Sequence, residues 1–265
     1  MLKPAGLLVH RTGLDAGETR FALQMLRNQL GRPVWPVHRL DKGTSGVLLF
    51  ALDAGTARLL GPQFESGGSI RKTYRAMVRG WPLPEGLIDH PLRRMRDDSP
   101  AGHRARSGLA GDEPPTRPAK GREVPLLAQS AVTAWRTLAH HILPLAHGTF
   151  AQTRIASVEL RPLTGRRHQL RRHMKHLGHP IIGDATHGKG PLNRAVAGLF
   201  KAQACQQAFD RSQPNGFQRL WLHALDLQLQ HPVTGESLRL HAPLDDGWAV
   251  WDGYRVNRAD PAAAA

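Results

Sequence analysis

At 265 residues, 40% of them hydrophobic, the chain is long enough for one large domain or two small ones with a substantial core. It has no apolar run of membrane-spanning length, no apolar leader at its start, and one cysteine, Cys205, which excludes an internal disulfide framework and a thiolate metal cluster. Those absences predict a cytoplasmic protein, and 36 Lys plus Arg against 21 Asp plus Glu, a net charge of +15, predict a polyanionic partner.

In chain order, Asp15 to Gly31 predicts a helix. Asp15 can cap it, Glu18 stands three residues on as in a capping box, and Gly31 follows the last turn. Ala22, Met25, Leu26 and Leu30 would form its apolar face. Val47 to Leu52 is a short continuous apolar run and predicts a buried strand. Lys72 to Val78 alternates, with Tyr74, Ala76 and Val78 on one side, and predicts a half-buried strand. Residues 96–125, rich in Arg, Pro, Gly and Asp without periodicity, predict a long flexible insertion. Strand character returns at Gln129 to Leu138 and Thr153 to Leu160. Thr164 to Leu177 predicts a second helix, with Leu170, Met174 and Leu177 at helical spacing and Gly178 and Pro180 stopping it. Leu220 to Leu229 reads as a strand with a change of register near His223-Ala224, and Leu238 to His241 as a last one. Residues 258–265, ending in four alanines, read as a disordered tail behind a single domain over 1–257.

Three segments carry candidate chemistry. His38-Arg39-Leu40-Asp41-Lys42-Gly43-Thr44-Ser45-Gly46 sets a carboxylate between two cations on a glycine-containing loop before the buried strand. Such a loop is in general only a turn. Thr164-Gly165-Arg166-Arg167-His168-Gln169-Leu170-Arg171-Arg172-His173 puts two arginines in a predicted first helical turn. The macrodipole disfavours cations there by roughly 0.3–1 kcal/mol each, which an anionic partner would offset; a basic solvated helix face is the plain alternative. His168, His173, His176, His179 and His187 cluster in sequence. Without H-E-x-x-H or a nearby cysteine, their spacing argues against a metal, and facing the polyanionic partner or packing is the better reading.

Taken together, these segments resemble a known family. H-R-L-D-x-x-T-S-G before an apolar strand, then K-T-Y-R-A-M-V-R-G, T-G-R-R-H-Q-L-R-R-H and L-G-H-P-I-I-G-D, are similar to the RluA-type pseudouridine synthases. Lys3-Pro4-Ala5-Gly6-Leu7-Leu8-Val9-His10 resembles the family's opening motif, and the likeness runs from residue 3 to about residue 245. Family members usually carry a strand before that opening motif. Here the chain starts almost at it, so one sheet edge is expected to lack its strand or the start site is misassigned.

The resemblance implies an α+β pseudouridine synthase fold, a central, mostly antiparallel mixed sheet flanked by helices. It implies isomerisation of an RNA uridine to pseudouridine. No outside atom enters that reaction, so no cofactor or metal is expected, and nothing in the chain demands more than a monomer. The branch most similar modifies uridine 65 of tRNA; a ribosomal RNA uridine is the alternative target, and a non-catalytic RNA-binding protein the alternative function. By position, Asp41 becomes the catalytic aspartate, Tyr74 the aromatic that stacks on the base, and Arg171 the partner that holds Asp41. Leu222 becomes a wall of the base pocket, and Arg39 lies where the flipped nucleotide leaves a gap. His38, Arg166, Arg167 and His168 complete the expected substrate contacts. A buried carboxylate that must work ionised needs such a cation, since a unit charge at 4 Å contributes about 4 kcal/mol at an effective dielectric of 20.

Overall fold

The computed structural model describes residues 1–11, 17–66, 70–95, 127–146, 149–206 and 218–256. The predicted insertion at 96–125, the tail at 258–265 and the proposed cap Asp15 lie outside the described residues. The first half of the chain forms β1 (Leu2–Lys3), α1 (Ala22–Leu30), β2 (Trp35–Pro36), β3 (Ser45–Val47), β4 (Phe50–Ala51), α2 (Ala54–Ser66), β5 (Arg71–Arg79), β6 (Glu85–Asp89) and β7 (Leu92–Arg93). The second forms β8 (Ala128–Gln129), β9 (Val132–Leu143), β10 (Thr153–Pro162), α3 (Gln169–His176), α4 (Gly190–Gln206), β11 (Leu222–Gln230), β12 (Ser237–His241), a 3-10 helix (Asp246–Tyr254) and β13 (Arg255–Val256).

A nine-stranded sheet organises the molecule, in the order β1-β3-β11-β5-β10-β9-β13, with β12 also on β11 and β6 also on β9. Every pairing in it is antiparallel except β3 with β11. This is the expected α+β architecture with a mixed, mostly antiparallel sheet. Gly46 explains how β3 lies so close to β11. Its φ is +114°, and a Cβ there would strike the Ala224 backbone, so only glycine fits.

Strand β5 is buried on both faces rather than one. Ala76 and Val78 join Val158, Leu160, Leu222, Leu170 and Met174 in one core. Met77 faces the opposite core, with Ile155, Phe200, Trp221, Trp248 and Trp251. Helix α4 and the 3-10 helix supply that second layer, so the alternation seen in sequence reports two packed faces. Neither α2 nor α4 is announced by periodicity. Helix α2 contains Pro62 yet starts firmly, because Asp53 accepts both the amide N–H and the hydroxyl of Thr56 at 2.7 and 2.8 Å.

Three sequence expectations are corrected. Helix α1 begins at Ala22, not near Asp15, and Phe21 caps it without a side-chain bond. Its first donors are used elsewhere: Ala22 and Leu23 amides donate to the carbonyls of Leu8 and Val9 at 2.8 and 3.0 Å. Glu18 instead pairs with Lys42 at 2.5 Å, and Met25 and Leu30 are exposed. The run Val47 to Leu52 is two short strands, because β4 leaves the main sheet to pair with β2. The second helix begins at Gln169, five residues late. His168 takes a left-handed conformation at φ 53°, which ends the preceding loop. The Gln169 side chain ties that loop down, accepting from Thr164 Oγ1 and Arg166 N and donating to Val132 O and Thr133 Oγ1. The register change expected in β11 falls between Ala224 and Asp226.

Candidate active site

Asp41 sits on the loop between β2 and β3, closed by the Thr44 amide donating to the Asp41 carbonyl at 3.0 Å. A buried lysine fixes this loop from below. Lys3 Nζ, on a residue with 0% exposure, donates to the carbonyls of Leu7, Pro4 and Lys42 at 2.7, 2.9 and 3.1 Å. Burial pulls its pKa down to about 7, while the Asp41 charge pulls it up. Three carbonyl acceptors suit the ammonium form, and they bind the opening motif to the Asp41 loop.

Helix α3 brings Arg171 to the same point. Arg171 Nη1 donates to Asp41 Oδ2 at 2.9 Å. Its Nε and Nη2 form a fork to Asp184 Oδ2 and Oδ1 at 2.7 and 2.8 Å. Asp184 Oδ1 also accepts the amides of Thr186 and His187 at 2.9 and 2.8 Å. Burial works against both charges. Arg171 is nonetheless held above the ordinary arginine value by Asp184 and then Asp41, and Asp184 below the ordinary carboxylate value by Arg171 and those amides. One guanidinium thus spans a fully buried carboxylate and one that faces a cleft.

The cleft holds about 810 Å³ and is lined by His38, Arg39, Asp41, Phe64, Lys72, Tyr74, Arg166, Arg167, His168, Arg171 and Leu222, among others. All nine residues singled out in the sequence therefore meet there. Tyr74 and Leu222 come from adjacent strands, Leu222 opposite Ala76 and Ala224 opposite Tyr74. Burial, and secondarily the Asp41 charge, push the Tyr74 phenol well above its ordinary value, so it stays neutral. His38 stacks on Phe64 at 4.6 Å and 6°, and its Nε2 accepts the Leu49 amide at 3.0 Å. Burial drives its pKa down to about 3, making it a neutral wall of the cleft. Arg39 is exposed at the rim.

Arg166 and Arg167 do not occupy a first helical turn, so the dipole cost argued from that position does not apply. They lie on the loop ahead of α3, where Arg166 Nε donates to Ser130 O at 3.0 Å. Arg172 and Lys175 ride on α3 itself. A second recess of about 460 Å³ opens on the other side of Asp41, toward Gly6, Lys42, Thr186 and Arg219. His168 borders both, with Nε2 3.7 Å from Asp41 Oδ2 and Nδ1 3.1 Å from His187 Nε2.

The other clustered histidines pack. His173, fully buried, lies 3.0 Å from both Thr133 Oγ1 and the His90 carbonyl; His176 stacks on His90 at 3.7 Å. His179 Nδ1 lies 2.8 Å from the Arg79 carbonyl. Among the described residues no group of three or more His, Cys, Asp or Glu converges as metal ligands, and no helix is long and apolar enough to cross a membrane.

Sequence reasoning overlooked three members of this site. Asp184 had a signal in the closing Gly-Asp of L-G-H-P-I-I-G-D, and Lys3 in the Lys-Pro opening. Lys72 had one in strand alternation, which puts it on the face of Tyr74 two residues away. Its Nζ lies 5.0 Å from the Phe64 ring centroid, and burial lowers its pKa.

Residues 1–176 match the family model described as RNA pseudouridylate synthase. Over 246 residues the chain is 44% identical to tRNA pseudouridine synthase C of Vibrio cholerae serotype O1, covering 93% of this chain and 87% of that one. It is equally identical to the protein of that name from Yersinia pestis, covering 93% and 82%. Among solved structures, human RNA pseudouridylate synthase domain containing 4 is 26% identical with a TM-score of 0.56, over 92% of this chain and 84% of that one. Human RNA pseudouridylate synthase domain containing 1, at 24% identity, shares the fold with a TM-score of 0.60, over 99% and 89%. By family model, by identity along nearly its whole length and by fold, the chain belongs to the RNA pseudouridylate synthases and is a pseudouridine synthase.

Proposed function

We propose that this enzyme isomerises uridine 65 of tRNA, working as a monomer in the cytoplasm, with Asp41 as its reacting carboxylate. The name shared by its bacterial relatives supports a tRNA target. The observation that carries the site assignment is the shared guanidinium of Arg171. Asp184 anchors it from the protein interior, which leaves Nη1 to orient Asp41 toward the cleft.

Isomerisation breaks the N1–C1′ bond, turns the base and bonds C5 to C1′. No atom enters or leaves the nucleotide overall except exchangeable hydrogen, so the chemistry calls for no cofactor or metal. The base must first leave the RNA stack, at a cost of a few kcal/mol. Stacking on Tyr74 returns about 1–3 kcal/mol, with Leu222 closing the apolar side. The cleft volume of 810 Å³ falls within the roughly 300–1,000 Å³ of small-molecule sites, ample for a nucleoside. Asp41 acts as a carboxylate, either attacking C1′ or removing a sugar proton, and Arg171 is its counter-charge. Arg39 fills the gap left by the flipped nucleotide, while Arg166, Arg167, Arg172 and Lys175 take flanking phosphates.

The test is to incubate the purified protein with unmodified tRNA and with ribosomal RNA, then map pseudouridine at nucleotide resolution. One product site, at tRNA position 65, is expected. Product confined to ribosomal RNA would overturn the target while leaving the reaction standing.

A further inference from the structure

We propose that His168 and His187 form a proton relay between Asp41 and solvent, carrying away the hydrogen that uridine loses from C5. This rests on the reading that Asp41 is the reacting carboxylate. Three observations support it. The imidazoles run in line from the site outward: Asp41 Oδ2 to His168 Nε2 is 3.7 Å, and His168 Nδ1 to His187 Nε2 is 3.1 Å. His168 is largely buried, with 14% of its side chain exposed, whereas His187 lies on a half-buried loop that reaches solvent. His168 is also the one non-glycine residue with positive φ among the described residues, at 53°. That left-handed backbone sits at the N-terminus of α3, beside Asp41, and strain of this kind collects at functional sites.

The reaction needs such a route. When C5 has bonded to C1′, it still carries its hydrogen, and N1 is doubly bonded to C6. Breaking C5–H sends its electron pair into a C5=C6 bond and shifts the N1=C6 pair onto N1. Asp41 accepts the C5 proton. With the pair drawn from 3.7 Å to hydrogen-bond distance in the substrate complex, His168 Nε2 takes it from Asp41 while its Nδ1 hydrogen passes to His187 Nε2, and His187 releases its Nδ1 hydrogen to water. N1 takes one proton from water, so one proton leaves and one arrives. A relay must begin neutral to accept, and His168 does. Burial first, then the neighbouring Arg171, His187 and Arg167, hold its pKa down to about 4 against the pull of Asp41.

The discriminating measurement uses tRNA transcribed with 5-deuterated UTP beside unlabelled transcript. The variant is His168→Gly, chosen because glycine keeps the φ of 53° without strain. General acid–base groups contribute about 10²–10⁴-fold, so a loss of about 10²-fold in single-turnover rate at saturating tRNA is expected. C5 deprotonation should then limit the rate, giving a C5 deuterium isotope effect larger than that of the wild-type protein, and added imidazole should restore turnover. His187→Gln should move rate and isotope effect in the same direction by less. A His168→Gly protein that is as fast as wild type, or slow with an unchanged isotope effect and no rescue by imidazole, overturns the relay. Wild-type behaviour of His187→Gln breaks it at the second link. Failure of the Asp41 reading looks different: Asp41→Asn would then still form pseudouridine.

Discussion

Replacing Asp41 and Asp184 by asparagine separates chemistry from architecture, because both carboxylates hold the same guanidinium. Asp184 is 1% exposed and gives Arg171 two bonds, at 2.7 and 2.8 Å. Asp184→Asn leaves a buried cation with only Asp41 as counter-charge, and breaking a buried pair costs about 3–5 kcal/mol. For a chain of this size each kcal/mol lowers Tm by about 2–4 °C, so a fall of roughly 6–20 °C is expected. Asp41 is 20% exposed in its side chain, and Arg171 keeps its Asp184 fork when Asp41 is neutralised. Asp41→Asn should therefore cost about 1 kcal/mol or less, as partly solvated pairs do, while forming no pseudouridine. Thermal melts read beside single-turnover product formation measure both. The pH dependence has a definite sign. A carboxylate depressed below its ordinary value of 3.8 contributes its full stability above that value and loses it as pH falls through the depressed one. The gap between wild type and Asp184→Asn should thus persist from pH 7 to pH 5 and close only in stronger acid. Equal destabilisation by the two variants, or a gap that closes near pH 6, would refute the shared-guanidinium account.

Two further outcomes follow from the same geometry. Tyr74→Ala should remove about 1–3 kcal/mol of base stacking, roughly a 5- to 150-fold loss in kcat/KM by steady-state kinetics. Gly46→Ala should destabilise the fold strongly, because its Cβ would meet the Ala224 backbone and its φ is +114°; solubility and a urea midpoint below wild type would report it.

Much of the site was legible because its chemistry is local in sequence. H-R-L-D, K-T-Y-R and H-Q-L-R each carry their candidate residue inside a recognisable string, and strand alternation alone put Tyr74 on a face. Helix boundaries were not legible in the same way. Asp15 and Glu18 form a good capping signal, yet α1 starts at Ala22 because its amides find the Leu8 and Val9 carbonyls on the segment after β1. Thr164 to His168 carries a helical pattern, yet the Gln169 side chain and the backbone of His168 stop the helix from extending back.

The family resemblance carried by its motifs implied the reaction class, the α+β sheet and the candidate roles of Asp41, Tyr74, Arg171 and Leu222, since those strings are contiguous in the sequence. Only the tertiary structure decided how those residues are supported. Asp184 behind Arg171, Lys3 beneath the Asp41 loop and His187 behind His168 lie 13, 38 and 19 residues from their partners. A bond between distant positions leaves no periodic trace, and it exists only after two cores have packed the sheet from both faces.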